Sequence, residues 1–428
     1  MTTMLVLFGC VLALVLVNVP IAVSLGVVAV VAMLASHGPG SLPNVALVTY
    51  SGATNFPLLA IPLFILAGAI MNASGISRRL IAVASALFGW IRGGLAHVSI
   101  GASMFFAEIS GSAVADVAAL GSILIPAMKS KGYPAPFAAA AMSSAATLAV
   151  IIPPSIPMIL YAVMAETSVV QLFVAGIVPG VLGGFMLMAT AYWLARRYNL
   201  PREDAFSFAR LLHAGREALW AFLLPIIILG GIFGGIVTAT EGAALAVVAA
   251  LAVGLLIYRE LDVAHLRQAV LEGGVQTAVV MLLVATSALL GTYLTEVQAP
   301  QQLARAVTAV TQNKWAVLGL LNLLFLLLGM FLHSAAAIIL VVPVVMPLVK
   351  AAGIDPVHFG LIVTINLGIG QQTPPVASVL MVASSIAKAS IWEVTRVNIW
   401  FIATLVTVLL LVTYVPVTGM GLVDLFYR

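Results

Sequence analysis

Charge is what this sequence has least of. Only 7% of its 428 residues are Asp, Glu, Lys or Arg, against about 25% in a soluble domain, so no water-facing globular surface can be built from it. Cysteine is scarcer still. The single Cys10 excludes an intrachain disulfide, leaves the redox compartment undecided and is expected as a packed apolar thiol. No Gly-Lys dipeptide occurs, which excludes a G-x-x-x-x-G-K-[ST] phosphate loop and so an ATP-driven pump on this chain. None of the six His is followed by Glu, and the H-E-x-x-H helix of a metalloprotease is therefore missing too. With no catalytic constellation in view, the expectation is not an enzyme, and no cofactor is called for.

What is present is apolar. Hydrophobic residues make up 63% of the chain, in repeated windows of about 20 residues, each long enough to cross a hydrocarbon core as a helix. The expected fold class is an all-α polytopic membrane protein with the lipid bilayer as solvent. The first apolar stretch, from Met4, lacks a basic leading region and is expected to be retained as part of the fold. The formal net charge of +4 reports membrane orientation here, not nucleic acid. Arg196, Arg197, Arg202, Arg210 and Arg216 crowd one connection, whereas residues 36–55 contain no Lys or Arg, which places the first inside and the second outside. Thr238 and Glu241 have the spacing of a capping box that opens the next returning helix.

Two regions do not read as simple spans. Residues 94–131 and 314–350 are apolar but interrupted near the middle, by Ser110, Gly111 and Ser112 in one and by His333 and Ser334 in the other. Each is followed by a segment broken at paired prolines, Pro153-Pro154 before Ser155 and Pro374-Pro375 after Thr373. A proline pair removes two backbone donors and leaves carbonyls free, which is tolerated at membrane depth only against protein or a water-filled cavity. A constant offset of 221 positions carries Pro126 onto Pro347, Lys129 onto Lys350, Gly132 onto Gly353, and both prolines of the first pair onto the second. The chain is a duplicated unit. Basic residues flank the first hairpin and the second enters from the other side, so the copies are expected as inverted repeats, each with a re-entrant helical hairpin and a Pro-Pro-broken helix.

At these residues the chain resembles the large membrane subunit, DctM type, of tripartite ATP-independent periplasmic (TRAP) transporters. The strings that carry the resemblance are IPLFILAGAIMN at 61–72, GLAHVSI at 94–100, ISGSAVAD at 109–116, GSILIPAMKSKGY at 121–133, IIPPSIPMILY at 151–161, TATEGAALA at 238–246, VKAAGIDPVHFG at 349–360 and QTPPV at 372–376. The resemblance implies an elevator-type transporter of the bacterial inner membrane that moves small organic acid anions such as C4-dicarboxylates or sialic acids. It also implies Na+ as the coupling ion, a small DctQ-type membrane subunit and a periplasmic substrate-binding protein. The matching division is scaffold helices and a first arm helix at 1–93, a first transport-core half at 94–166, central scaffold and a second arm at 167–313, a second core half at 314–389, and a C-terminal scaffold helix at 390–428. The arms are expected at 78–90 and 300–313. Open alternatives are a stand-alone carboxylate transporter of the divalent anion:sodium symporter kind, or a channel or membrane scaffold.

The resemblance carries the ion and substrate region onto Ser110, Gly111, Ser112, Asp116, Pro153, Pro154 and Ser155 in the first half. In the second it points to Ser334, Thr373, Pro374 and Pro375, and Asn366 joins them because its amide can bridge freed backbone. Na+ is expected at Ser112 and Thr373 with nearby carbonyls; Ser143, Ser144 and Thr147 are weaker candidates. Hydroxyls and unwound carbonyls supply the oxygens a hard cation needs without a permanent charge, and half-helix N-termini offer a positive end to a carboxylate. Ionisable residues inside a membrane are costly and point to function. Glu166 is expected at the outer surface and Asp116 near the cavity. Glu108 and His333 both depart from the family pattern, and the two are expected to approach each other as a coupling pair.

Overall fold

The computed structural model describes the backbone of residues 2–17, 19–202 and 205–427, and within these all side chains except those of 2–5, 16 and 107–110. The N-terminal part holds α1 (Thr2–Leu16), α2 (Ile21–His37), α3 (Leu42–Ala53), α4 (Ala60–Ala73) and α5 (Ile76–Phe88). Pro20 separates α1 from α2, because its ring cannot continue a helix. The first duplicated unit contains α6 (Gly94–Ser110), α7 (Ala113–Ser130), α8 (Ala135–Ala146), α9 (Leu148–Ile151) and α10 (Ile156–Met164). Then come α11 (Val169–Arg197), α12 (Phe208–Glu217), α13 (Leu219–Phe233), α14 (Ala239–Ala252), α15 (Val263–Glu296) and α16 (Ala299–Val310). The second unit contains α17 (Lys314–Phe331), α18 (Ser334–Ala351), α19 (Pro356–Gly370) and α20 (Ser378–Ala387), followed by α21 (Ile391–Tyr414) and α22 (Val417–Tyr427). Among the described residues, 8 helices are long and apolar enough to cross a membrane, or up to 10 if each bent pair is one span.

The repeat is visible as structure: α6 and α7 form the first hairpin, α17 and α18 the second, and each is followed by a helix interrupted at its proline pair. The two hairpins open at opposite ends. Beside the open end of the first, α8 starts at Ala135; the chain runs to the break and continues through α10 with a bend of only 41°. At the far end of α10, Met164 and Glu166 share a cavity with Pro347 and Lys350, the open end of the second hairpin. Conversely, Lys129 at the open end of the first donates from Nζ to the carbonyl of Ala387, 2.6 Å away, where α20 ends. Each broken helix thus ends against the other half's hairpin, as inversion requires.

The basic loops lie together. Arg92 Nε donates to the Leu200 carbonyl at 3.2 Å and the Gly93 N–H to the Pro201 carbonyl at 3.0 Å, joining the entry of the first hairpin to the Arg-rich connection after α11. The capping box at Thr238 forms as expected, with Glu241 Oε2 accepting from the Thr238 N–H at 2.8 Å. The two stretches expected as arms are helical, as α5 and α16, each just ahead of a hairpin. Cys10 departs from its expected packing: it is exposed on α1, since a helix surface facing lipid needs no protein cover.

Helix α5 is pinned at its start. Glu260 accepts from Arg79 at 2.7 Å and from Arg78 at 2.8 Å, and the Arg79 guanidinium lies 3.7 Å from the centre of the Tyr258 ring. The Arg79 hydrogen bond holds the Glu260 carboxyl below its ordinary pKa against the opposing effect of burial. A depressed carboxylate pKa contributes stability above the unfolded value, about 4.3, and loses it as pH falls through the folded value. Glu260→Gln is therefore expected to lower the melting temperature at pH 7, with the gap to wild type closing as the pH drops below about 4. A gap independent of pH would show that the carboxylate charge is not what holds the helix.

Candidate functional site

Both hairpin tips end inside the protein. At the first, Gly111 adopts φ 56°, and Ser112 is extended at the N-cap of α7. A Cβ on Gly111 would sit 3.0 Å from the Ile156 N and 3.3 Å from the Pro154 carbonyl oxygen, so this tip packs onto the first break. At the second, Leu332 and His333 are extended and α18 begins at Ser334. Here Gln371, at the end of α19, donates from Nε2 to Ser334 Oγ, and the Val376 N–H reaches the Met330 carbonyl at 3.3 Å. The second tip is likewise tied to its own half's break. Both proline pairs contain a cis peptide bond.

The tips share one cavity of about 360 Å³. The first half supplies Gly111 to Ala115, Ala118, Val150, Ile156 and Pro157; the second supplies His333, Ser334, Ala335 and Gln371. The remaining wall belongs to α4, through Ile65, and to α15, through Val275, Gln276, Val279 and Val280. First-turn residues of both α7 and α18 border the space, so two helix N-termini offer it their positive ends. The offset of 221 also places Ser112 on His333, and the two residues occupy the same N-cap position in their hairpins.

A family model described as the tripartite ATP-independent periplasmic transporter, DctM component, matches residues 8–418. The chain belongs to the DctM family. It is 42% identical over 418 residues to the isethionate TRAP transporter permease protein DctMQ of Oleidesulfovibrio alaskensis, covering 97% of this chain. It spans only 65% of that relative's length. It is 40% identical to the C4-dicarboxylate TRAP transporter large permease protein DctM of Pseudomonas aeruginosa, over 90% of each. Both relatives are permease proteins of transporters, not enzymes. The solved structure of the YdaH transporter of Alcanivorax borkumensis matches with a TM-score of 0.65 over 90% of each chain; at 17% identity the likeness is one of fold.

In this DctM-family chain the residues singled out by sequence fall into distinct groups. Gly111, Ser112, His333 and Ser334 are brought together at the cavity. Pro153, Pro154 and Ser155 are buried behind it, with Ser155 Oγ donating to the Val150 carbonyl at 2.9 Å. Thr373 and Pro374 are half-buried and Pro375 is exposed, outside the cavity lining. Thr373 Oγ1 donates to the Ile369 carbonyl at 2.8 Å, leaving only its lone pairs for a cation. Asp116 is fully buried in the first turn of α7, one step back from the lining. Asn366 is buried away from the lining: its Nδ2 donates to Asn322 Oδ1 at 2.7 Å and to the Ile362 carbonyl at 2.9 Å, and Asn322 in turn donates to Thr413 at 3.1 Å. Glu166 is exposed where α10 ends, as expected. The side chains of Glu108 and Ser110, and with them the expected approach of Glu108 to His333, lie outside the described residues.

Three further polar positions join the site through the tertiary arrangement. Gln371 lines the cavity, and its neighbour Gln372 lies in a buried cluster behind it. Gln372 Nε2 donates to Thr147 Oγ1 at 3.1 Å; Ser144 Oγ lies 2.8 Å from both Gln372 Oε1 and Asn398 Oδ1. Its single proton serves one acceptor at a time. The cluster joins α8, the second break and α21. Gln276 is the polar side chain on the α15 wall, and it continues an i, i+4 row of exposed residues with Gln268 and Glu272. That spacing is a sequence signal, since it puts three polar groups on one face of an otherwise apolar helix.

Proposed function

We propose that this chain is the large transmembrane subunit of a secondary-active TRAP importer of small organic acid anions in a bacterial inner membrane. The observation that carries it is the shared cavity: two inverted hairpin tips form one side and helices outside the repeat form the other. Substrate held there touches both bodies, so sliding one against the other would carry the site across, an elevator-type motion. The relatives named for isethionate and C4-dicarboxylate transport support an organic anion as cargo. The greater length of the DctMQ relative fits a small DctQ-type subunit joined to the large one, and a periplasmic binding protein completes the assembly.

In this reading 94–166 and 314–389 form the mobile core. The helices that follow each broken segment, α11 and α21, pack on that core, and Asn398 of α21 hydrogen-bonds into the second break. They are assigned to the mobile body, which takes them out of the scaffold segments 167–313 and 390–428. Na+ is the proposed coupling ion. The buried hydroxyls of Ser103 and Ser143 and the Oδ1 of Asn366 have no hydrogen-bond partner among the described residues, and such oxygens fit a hard cation. Ser112 and the lone pairs of Thr373 are further donors. The row Gln268, Glu272, Gln276 supplies a hydrated route between the cavity and the face carrying Arg267.

Uptake into proteoliposomes tests the assignment. Accumulation is expected only with this chain, the small subunit and the binding protein together, and only with an inward Na+ gradient. Accumulation by this chain alone would make it a stand-alone symporter, and passive equilibration without a gradient a channel. Gln276→Leu is expected to lower uptake about tenfold, the worth of one lost hydrogen bond of about 1.4 kcal/mol, while leaving the melting temperature unchanged. Unaltered uptake would remove α15 from the substrate path.

A further inference from the structure

Superimposing the two halves by sequence exposes an asymmetry in the cavity. The offset of 221 matches Ala113 to Ser334 and Val150 to Gln371, and all four residues line the space. In the second half the pair is polar, mutually hydrogen-bonded and 1% and 2% exposed. In the first half the same two places hold a methyl and an isopropyl group, continued by Val114, Ala118 and Ile156. A duplicated site built for a ligand with two charged ends would keep donors at both.

The first turns of the two hairpin helices differ as well. Asp116 stands in the first turn of α7. The first turn of α18 carries no acid, and His333 precedes it. Among the described residues the Ser112 hydroxyl is the one side-chain donor on the first half's wall; a carboxylate placed beyond it, against Ala113, Val150 and Ile156, would lose its hydration without a donor from those three, whereas methylenes gain by leaving water there.

We infer that the cargo is an organic anion with one charged group on a short apolar body. The charged group lies at His333, Ser334 and Gln371, and the body against Ala113, Val150 and Ile156. This rests on the transport reading above and selects among organic acids within it. Dicarboxylates and polyhydroxylated sugar acids are disfavoured, because each brings a second polar end to a wall that, beyond Ser112, is apolar among the described residues.

The full chain in lipid nanodiscs with Na+ is to be titrated with 4-methylpentanoate, succinate and gluconate, with ligand-induced thermal stabilisation as the readout. Wild type is expected to bind 4-methylpentanoate about tenfold or more tightly than the other two. The double variant Ala113→Ser, Val150→Gln installs the second half's polar pair in the first and is expected to shift the preference toward succinate by about tenfold or more. Should that variant misfold, Ala113→Ser alone is expected to shift the ratio the same way by a smaller factor. Equal or tighter binding of succinate or gluconate to wild type overturns the inference and leaves the transport reading intact. So does the lack of any response while the three-component system takes up organic anions. Failure of that system to take up any organic anion removes the transport reading itself.

Discussion

Gly370→Val is expected to abolish transport and to destabilise the protein by about 2–3 kcal/mol, the cost of overpacking a close contact. A Cβ at position 370 would lie 2.5 Å from both Cα and C of Gly329, backbone atoms that cannot rotate away. Here α17 and α19 touch main chain to main chain, one residue before Gln371 reaches Ser334. Small residues at such crossings let membrane helices approach closely. Forcing the helices apart moves the second tip off its break, so stability and cavity geometry should fail together. Gly329→Ala is expected to be milder, since its Cβ would meet the nearest atom, Gly370 Cα, at 3.0 Å. Thermal unfolding in nanodiscs and uptake by the reconstituted complex measure both effects. A Gly370→Val protein with wild-type stability would show that the helices do not meet in this way.

The second large effect is expected at Gln372. Leu has similar bulk but strips hydrogen bonds from Thr147, Ser144 and Asn398, all four side chains being fully buried. Leaving buried polar groups unpaired costs more than the average hydrogen bond gains, and about 2–3 kcal/mol is expected for this cluster. Because the cluster couples α8, the second break and α21, Gln372→Leu combined with Asn398→Leu should cost less than the sum of the two singles. Strict additivity would mean that the two amides act independently. Gln372 does not line the cavity, so residual uptake by folded protein should keep its selectivity even as the amount of folded protein falls.

The parts of the fold that were legible in sequence are those set by local chemistry. Pro153-Pro154 and Pro374-Pro375 break helices wherever they stand, Thr238 and Glu241 cap one, and the run of Arg near 196–202 marks one face. The constant offset from Pro126 to Pro347 showed the duplication without any contact being known. Within the candidate site, Gly111, Ser112, His333 and Ser334 were accessible because hairpin tips must be made of residues that leave the helix.

The proline-break residues misled as cavity contacts for a physical reason. A break frees backbone, but which side chain then faces the space depends on what packs around it, and that is how Gln371 enters while Pro374 and Pro375 stay outside. Asn366 bonds backbone at the Ile362 carbonyl of its own helix and also reaches Asn322 across a helix contact, a pairing with no local signal. Gln276 lies far from either hairpin in sequence and meets them only because α15 packs beside α18.

By itself, the sequence determined a multi-pass helical chain with two inverted copies of a hairpin and a broken helix. Hydrophobic length, proline and charge bias act over a few residues and need no partner to take effect. Only the tertiary structure decided which oxygens and amides meet at the cavity, and that one end is polar where its repeat mate is apolar. Those outcomes depend on side chains hundreds of positions apart coming within a few ångströms, which no local pattern encodes.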